Sequence, residues 1–93
     1  MGKINELATA CGGATVIGAD ATSMEDLEKV FTESQQILGG KIDFVLHSIG
    51  MSPNVRKKIP YTETSYENLM KTFDISAVSF HKVMQCAMKL DAL

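Results

Sequence analysis

Several features are scarce in this chain of 93 residues, and each scarcity excludes a class of protein. Nine basic residues against eleven acidic ones give a net charge of −2, which offers no general basic surface for nucleic acid or anionic lipid. The longest apolar runs are a few residues, far below the ~20 that a membrane-spanning helix needs. Because 45% of the residues are hydrophobic, we expect one small folded domain and not a disordered chain.

Cysteine and histidine are also scarce, with two of each. Cys11 and Cys86 lie far apart without Cys-x-x-Cys spacing, which is typical of reduced thiols in a cytosolic protein; a disulfide is the less favoured alternative. His47 and His81 have no spacing that suits a metal, so we expect no metal site. The first residues contain no apolar segment like that of a secretory signal, so we expect a cytoplasmic protein.

Apolar periodicity predicts the order helix, strand, helix, strand, loop, helix, which is an α/β pattern. The first helix covers residues 3–11 and ends at Gly12-Gly13. Apolar runs at 14–19 and 42–47 predict buried parallel strands. The helix between them opens at the capping sequence Thr22-Ser23-Met24-Glu25, which makes the three elements a right-handed βαβ unit. Its apolar spacing predicts that it buries Leu27, Val30, Phe31, Ser34, Ile37 and Leu38.

The last third of the sequence predicts a loop and then a long helix. Residues 51–63 contain Pro53 and Pro60, which break regular structure, and the charge run Arg56-Lys57-Lys58 favours a solvated loop over a phosphate site. A second capping sequence, Thr64-Ser65-Tyr66-Glu67, opens a helix that runs to about residue 90. Inside it, Asp74-Ile75-Ser76 indicates a packed polar contact or a bend. The apolar stripe of this helix is Leu69, Phe73, Ala77, Phe80, Met84, Ala87 and Met88.

Candidate ligand-binding residues follow each predicted strand, where open α/β sheets bind cofactors. Asp20 could accept a hydrogen bond from an adenine amino group or a ribose hydroxyl, or it could cap a helix or turn, and the pattern alone does not separate these roles. The second strand ends in His47-Ser48-Ile49-Gly50. Gly50 would let the backbone approach a ligand closely, although an ordinary turn is the alternative. For His47 we expect a packed, hydrogen-bonded ring and no catalytic role.

The complete string from Phe44 to Ser52, together with Asp74-Ile75-Ser76, resembles the enoyl-[acyl-carrier-protein] reductases that use NADH, a branch of the short-chain dehydrogenase/reductase superfamily. The resemblance covers essentially the whole chain and implies that residues 1–93 are a central fragment of one NAD(P)-binding Rossmann domain. It implies a trans-2-enoyl thioester on acyl carrier protein as substrate, NADH as cofactor with NADPH not excluded, and a cytoplasmic homotetramer without nucleic-acid or membrane partners. The residues it places at the cofactor are Asp20, Ala21, Ser48, Ile49, Gly50 and Ile75, and the residue it places at the substrate is Ser52.

Two signatures of that family are missing from these 93 residues. Gly12-Gly13 ends a helix and precedes a strand, so it is not the phosphate-binding turn, which follows a strand. Neither Tyr61 nor Tyr66 is followed by lysine at the family's Tyr/Lys spacing, so we assign no catalytic residue and expect the chain alone to be inactive. The alternatives are a non-catalytic nucleotide-binding or assembly module and another short-chain carbonyl reductase, against which the His-Ser-Ile-Gly string argues.

The predicted strands have a structural consequence. In the doubly wound order 3-2-1-4-5-6 they would be the third and the fourth, which are not neighbours. Both would therefore have unpaired edges and uncovered apolar faces. We expect a partial Rossmann-type parallel sheet that, on its own, is unstable, self-associates or pairs its strands non-natively.

Overall fold

The computed structural model describes residues 2–93 as a series of helices joined by irregular backbone. A 3₁₀ turn covers Tyr61–Glu63, and the π-helical segment Asp74–Val78 joins the last two helices without a break. The Cα radius of gyration is 15.7 Å, whereas a compact domain of this length has about 12 Å. The molecule is therefore elongated, with extents of 48 × 32 × 18 Å. Its helices are α1 (Gly2–Ala10), α2 (Met24–Leu38), α3 (Pro53–Lys57), α4 (Tyr66–Phe73) and α5 (Ser79–Lys89).

The sheet predicted from the sequence does not form within residues 2–93. The segments expected to be strands, 14–19 and 42–47, are irregular backbone without a ladder of hydrogen bonds. A strand exists only when a neighbour supplies backbone partners, and the third and fourth strands of a doubly wound sheet are not neighbours. The start of the second segment is held by a contact outside any sheet, because the Ile42 N–H donates to the Ala92 carbonyl at 2.7 Å.

The helix boundaries follow the predicted capping sequences. Within the first of them, the residue that caps α2 is Ser23, whose Oγ accepts the Asp26 N–H at 3.2 Å. The helix ends at Gly39, whose φ of +78° is the left-handed conformation that glycine adopts without strain. Likewise Ser65 caps α4 by accepting the Asn68 N–H at 3.1 Å. These contacts are local in sequence, which explains why the pattern predicted them.

The predicted loop at 51–63 contains regular structure that the sequence analysis missed. Pro53 is the first residue of α3, a position where its missing N–H breaks no helical hydrogen bond. The Asn54 side-chain amide donates to the Thr64 hydroxyl, which donates to the Tyr61 carbonyl at 2.6 Å. These bonds fold the segment back upon itself before α4 begins.

The core lies between α2 and α5. Leu27 and Phe31 are buried there together with Val83, Cys86 and Ala87. Other residues of the predicted stripes are exposed: Ile37 and Leu38 by 54% and 67%, and Phe73, Phe80, Met84 and Met88 by about half or more. Burial depends on what packs over a helix, and residues 2–93 cover these side chains only in part. In the same part of the chain, no helix combines the length and the apolar character that crossing a membrane requires.

Candidate functional site

Two serines hold the segment that follows the second apolar run against the long helix. The Ser76 hydroxyl accepts the Met51 N–H at 3.0 Å and donates to the Met51 carbonyl at 3.2 Å. The Ser79 Oγ lies 2.8 Å from His47 Nε2 and donates to the Ile75 carbonyl at 2.6 Å. The ring of His47 and the backbone of Met51 are thereby held on the helix surface.

The hydrogen bonds of Ser79 indicate which ring nitrogen of His47 is the donor. A hydroxyl has one proton, and a carbonyl oxygen can only accept, so the Ser79 proton points to Ile75. His47 Nε2 must then be the donor in its contact with Ser79 and carries a hydrogen. The ring also packs edge-on against Phe80, with centroids 5.4 Å apart and planes at 80°. The predicted role of His47 as a packed, hydrogen-bonded ring is confirmed.

The helix changes its hydrogen-bonding pattern where these contacts are made. Asp74–Val78 is π-helical, a rare arrangement that is frequent at functional sites. Ser79 follows it directly and is fully buried, and its side chain bonds back four residues to Ile75. Of the two alternatives predicted at Asp74-Ile75-Ser76, the packed polar contact is confirmed by the bonds of Ser76 to Met51, and the π-helical pattern is a feature that the sequence did not predict.

Asp20 shapes the turn before α2. Its Oδ1 accepts both the Thr22 N–H at 2.9 Å and the Thr22 hydroxyl at 2.7 Å. These bonds, the hydroxyl bond foremost, hold the pKa of Asp20 below its ordinary value. The turn role that the sequence left open is thus confirmed. Because both bonds use Oδ1, Oδ2 can still accept a hydrogen bond from a ligand, and the contact with adenine stays a prediction.

Lys82 connects the Asp20 turn to the π-helical segment, and the sequence analysis missed it. Its ammonium group donates to the Thr22 carbonyl at 2.8 Å and lies 3.7 Å from the Asp74 carboxylate. The side chain is only 27% exposed, so the contact is more than a mobile surface pair. The sequence could have indicated the contact with Asp74, because Lys82 follows Asp74 by two helical turns. Its partner Thr22, 60 positions away, had no signal in the sequence.

The predicted site residues lie in two groups. Gly50 and Ser52 line an open cavity of about 460 Å³ together with Thr72 and Ser76. Asp20 and Ala21 lie outside that cavity, and Lys82 links their turn to the π-helical segment, which contributes Ser76 to the cavity lining. The remaining residues lie between or beside these groups: Ser48 and Ile49 are exposed next to Gly50, and Ile75 is half-buried in the π-helical segment.

The space at Gly50 bears on whether a dinucleotide fits. A Cβ added to Gly50 would meet Ser76 Oγ at 3.9 Å, an ordinary contact, so the packing of the chain itself does not require glycine there. Ile49 is 42% exposed beside it and offers an apolar surface. A free carboxylate oxygen on Asp20, an exposed isoleucine and an unobstructed glycine backbone fit the adenine and ribose parts of a nicotinamide dinucleotide.

Comparison with known proteins identifies the family. The family model described as enoyl-(acyl carrier protein) reductase matches residues 1–92. The chain belongs to this reductase family. The resemblance predicted from the Phe44 to Ser52 string and from Asp74-Ile75-Ser76 is therefore confirmed.

Individual reductases match over nearly the whole chain. Enoyl-[acyl-carrier-protein] reductase [NADH] 1 of Rhizobium meliloti (strain 1021) is 33% identical over 81 residues, which cover 87% of this chain and 29% of that protein. The crystal structure of FabI from Alistipes finegoldii is 54% identical with a TM-score of 0.89, covering 97% of this chain and 33% of that one. The chain therefore spans about a third of the length of these reductases.

Two ligand-bound reductase structures show the same backbone course. The complex of Alistipes finegoldii FabI with NADH is 54% identical and has a TM-score of 0.90 over 97% of this chain and 31% of that one. The Anaplasma phagocytophilum reductase in complex with NAD is 26% identical, with a TM-score of 0.79 over 92% and 33%. The chain follows part of their Rossmann-like fold although its own described residues form no sheet.

Proposed function

We propose that this chain is the central part of the NAD(P)-binding Rossmann domain of an enoyl-[acyl-carrier-protein] reductase. The whole enzyme would reduce trans-2-enoyl thioesters with NADH in fatty-acid biosynthesis. The observation that carries the proposal is the clamp from Ser76 to Met51, which holds the exposed backbone of residues 50–52 beside the π-helical segment. It is supported by the 54% identity to a FabI whose structure contains NADH.

The chain's own residues would bind and orient the two ligands. NADH, when bound, supplies the hydride that the β-carbon of the enoyl group receives. Asp20 Oδ2 would accept a hydrogen bond from the adenine amino group while Oδ1 keeps the turn closed. Ile49 would cover the nicotinamide ribose and exclude water, and the Ser52 backbone would face the thioester. The other cofactor contacts in this proposal are Ala21 beside the adenine, Ser48 and Gly50 at the ribose, and Ile75 on the adenine side.

The same proposal covers the sheet and the assembly. In the whole enzyme, segments 14–19 and 42–47 would become the third and fourth parallel strands once neighbouring strands pair with them. The enzyme would be a cytoplasmic homotetramer. Its cofactor would be NADH, with NADPH as the alternative, and a comparison of the binding of the two nucleotides decides between them. Catalytic groups are not assigned to this chain, because neither Tyr61 nor Tyr66 has the lysine that the family spacing requires.

A chimera tests the proposal directly. This chain replaces the matching third of Alistipes finegoldii FabI, and NADH oxidation is followed with a crotonyl thioester. We expect turnover within about tenfold of the parent enzyme, a barrier change of ~1.4 kcal/mol. Asp20→Ala should raise the KM for NADH about fivefold with little change in kcat, because it removes one hydrogen bond of about 1 kcal/mol. Asp43→Ala, at another exposed carboxylate, is the matched control. A folded chimera that neither binds nor oxidises NADH would contradict the proposal.

Titrating NADH into the 93-residue chain separates the reductase from the alternative of a stand-alone nucleotide-binding module. Binding is followed by fluorescence and checked by calorimetry. For the reductase we expect no saturation up to about 1 mM, which corresponds to roughly −4 kcal/mol, since the chain has no phosphate-binding turn between a strand and a helix. Saturable binding that Asp20→Ala abolishes would favour the module.

A further inference from the structure

The side chain of Lys82 attaches the Asp20 turn to the last helices of the chain. Its ammonium group on α5 donates to the Thr22 carbonyl at 2.8 Å and lies 3.7 Å from the Asp74 carboxylate. Within residues 2–93, no other hydrogen bond connects residues 14–22 with residues 66–89. The polar attachment of the turn to these helices therefore depends on this one lysine.

The Lys82 ammonium group is held in place by its partners. The side chain is only 27% exposed, and a cation that is largely removed from water needs polar groups around it, which the Thr22 carbonyl and Asp74 supply. The two bonds from Thr22 are the main cause of the lowered pKa of Asp20, and the charge of Lys82 adds to their effect. Lys82 is therefore near enough to the Asp20 carboxylate to act on it.

Both groups that Lys82 contacts lie next to proposed cofactor contacts. Thr22 directly follows Ala21, and Asp74 directly precedes Ile75. The lysine thus holds together the two chain segments that carry these half-buried apolar side chains. A flat ring packs well between two apolar surfaces only where their separation matches its thickness, because even a small gap loses contacts on one side.

We propose that Lys82 is a positioning residue that sets the separation between Ala21 and Ile75, the two walls of the adenine site. The inference rests on the function proposed above. Lys82 touches no ligand in this arrangement and acts through the two chain segments that it holds. By fixing the turn, it also keeps Asp20 Oδ2 where it accepts a hydrogen bond from the adenine amino group, so loss of Lys82 weakens recognition of that group.

The reductase chimera described above tests this inference with two cofactors that differ at one position of the base. NADH has the adenine amino group, whereas its hypoxanthine analogue has an oxygen there, and both transfer the same hydride. In the unmodified chimera we expect kcat/KM to be about fivefold higher with NADH. Lys82→Met keeps a side chain of similar length without its charge. It should raise the KM for NADH about fivefold, leave kcat nearly unchanged and reduce the preference for NADH to below about twofold.

Lys89 offers a matched control on the same helix. Its ammonium group pairs with Glu28 of α2, so Lys89→Met removes another contact between α5 and the α2 region, two helical turns from Lys82. This control should leave the KM for NADH and the preference for NADH within about twofold of the parent values. Lys82→Arg keeps a cationic donor and should restore most of the preference.

The possible outcomes separate this inference from the function on which it rests. An unchanged preference in Lys82→Met, an equal loss in Lys89→Met, or a fall in kcat with an unchanged KM would overturn the positioning role. An unmodified chimera that oxidises NADH without preferring it to the analogue would also overturn that role, while the reductase function would stand. A folded, unmodified chimera that neither binds nor oxidises NADH would reject the reductase function, and the adenine site with it.

Discussion

The Ser76 hydroxyl satisfies both backbone groups of Met51, a residue 25 positions earlier in the chain. It accepts the N–H at 3.0 Å and donates to the carbonyl at 3.2 Å. One side chain therefore fixes the position of the backbone that separates Gly50 from Ser52. Since these two residues line the candidate ligand cavity, the shape of the cavity depends on this contact.

Replacing Ser76 by alanine should release that backbone. The change removes the partner of the Met51 N–H, at a cost of about 1 kcal/mol, which corresponds to roughly fivefold faster exchange of this amide. Hydrogen exchange of the Met51 amide, followed by NMR, measures the effect. Ser76→Thr keeps the hydroxyl and should largely restore protection. Ser34→Ala, on α2, serves as the control, and unchanged exchange of Met51 in Ser76→Ala would show that the clamp does not hold.

The hydrogen on His47 gives a second prediction. Because the Ser79 proton points to the Ile75 carbonyl, the neutral ring should carry its hydrogen on Nε2. Long-range proton–nitrogen NMR spectra of the imidazole report this directly. Ser79→Ala should allow the other tautomer to appear, whereas His81, which is exposed on α5, should not respond. A wild-type spectrum with the hydrogen on Nδ1 would contradict the assignment.

The features that the sequence predicted correctly are those set by near neighbours in the chain. Ser23 and Ser65 cap their helices through amides three residues on, and Gly39 ends a helix because its own backbone permits it. Burial was overestimated at Ile37 and Leu38 because it depends on the surface that packs over a helix. The two predicted strands did not form for the same reason, because a strand needs a neighbouring strand that supplies backbone hydrogen-bond partners. The contact of His47 with Ser79 spans 32 positions, and no local pattern indicates it.

The two thiols should differ in reactivity. Cys86 is fully buried in the core, and this burial raises the pKa of its thiol, so little of the reactive thiolate is present at neutral pH. Cys11 is exposed after α1. With a disulfide-exchange reagent at neutral pH, we expect Cys11 to react at least about tenfold faster than Cys86, because Cys86 becomes accessible only when the α2–α5 core opens. Cys11→Ser isolates the slow reaction, and comparable rates for the two thiols would mean that the core is not closed.

The Asp20 turn predicts a specific pH response. The bonds from Thr22 lower the Asp20 pKa in the folded chain below its ordinary value of 3.8. A lowered carboxyl pKa contributes stability above the ordinary value, and this contribution is lost as the pH falls through the lowered pKa. Thr22→Val removes the hydroxyl, the largest cause, and should raise the Asp20 pKa towards 3.8 while the backbone bond remains. An NMR titration of the carboxyl carbon measures the shift. Thr32→Val on α2 should leave it unchanged.

The uncovered second segment predicts self-association. Phe44 and Leu46 are 77% and 80% exposed on backbone that forms no sheet within the described residues. Such a segment combines apolar side chains with unpaired backbone groups, which favours pairing between chains. Sedimentation velocity should therefore show an average mass that rises with concentration in the micromolar range.

Two lysines placed in that segment should reduce the association. Phe44→Lys with Leu46→Lys adds charge at the edge, a device that natural sheets use to prevent pairing. Tyr61→Lys with Tyr66→Lys replaces side chains of similar exposure, 81% and 78%, outside the segment and should have little effect. A monomer at all concentrations with a sharp cooperative melt would show that the chain closes its own core. Segments 14–19 and 42–47 would then not depend on neighbouring strands, and their placement in a larger sheet would need another basis.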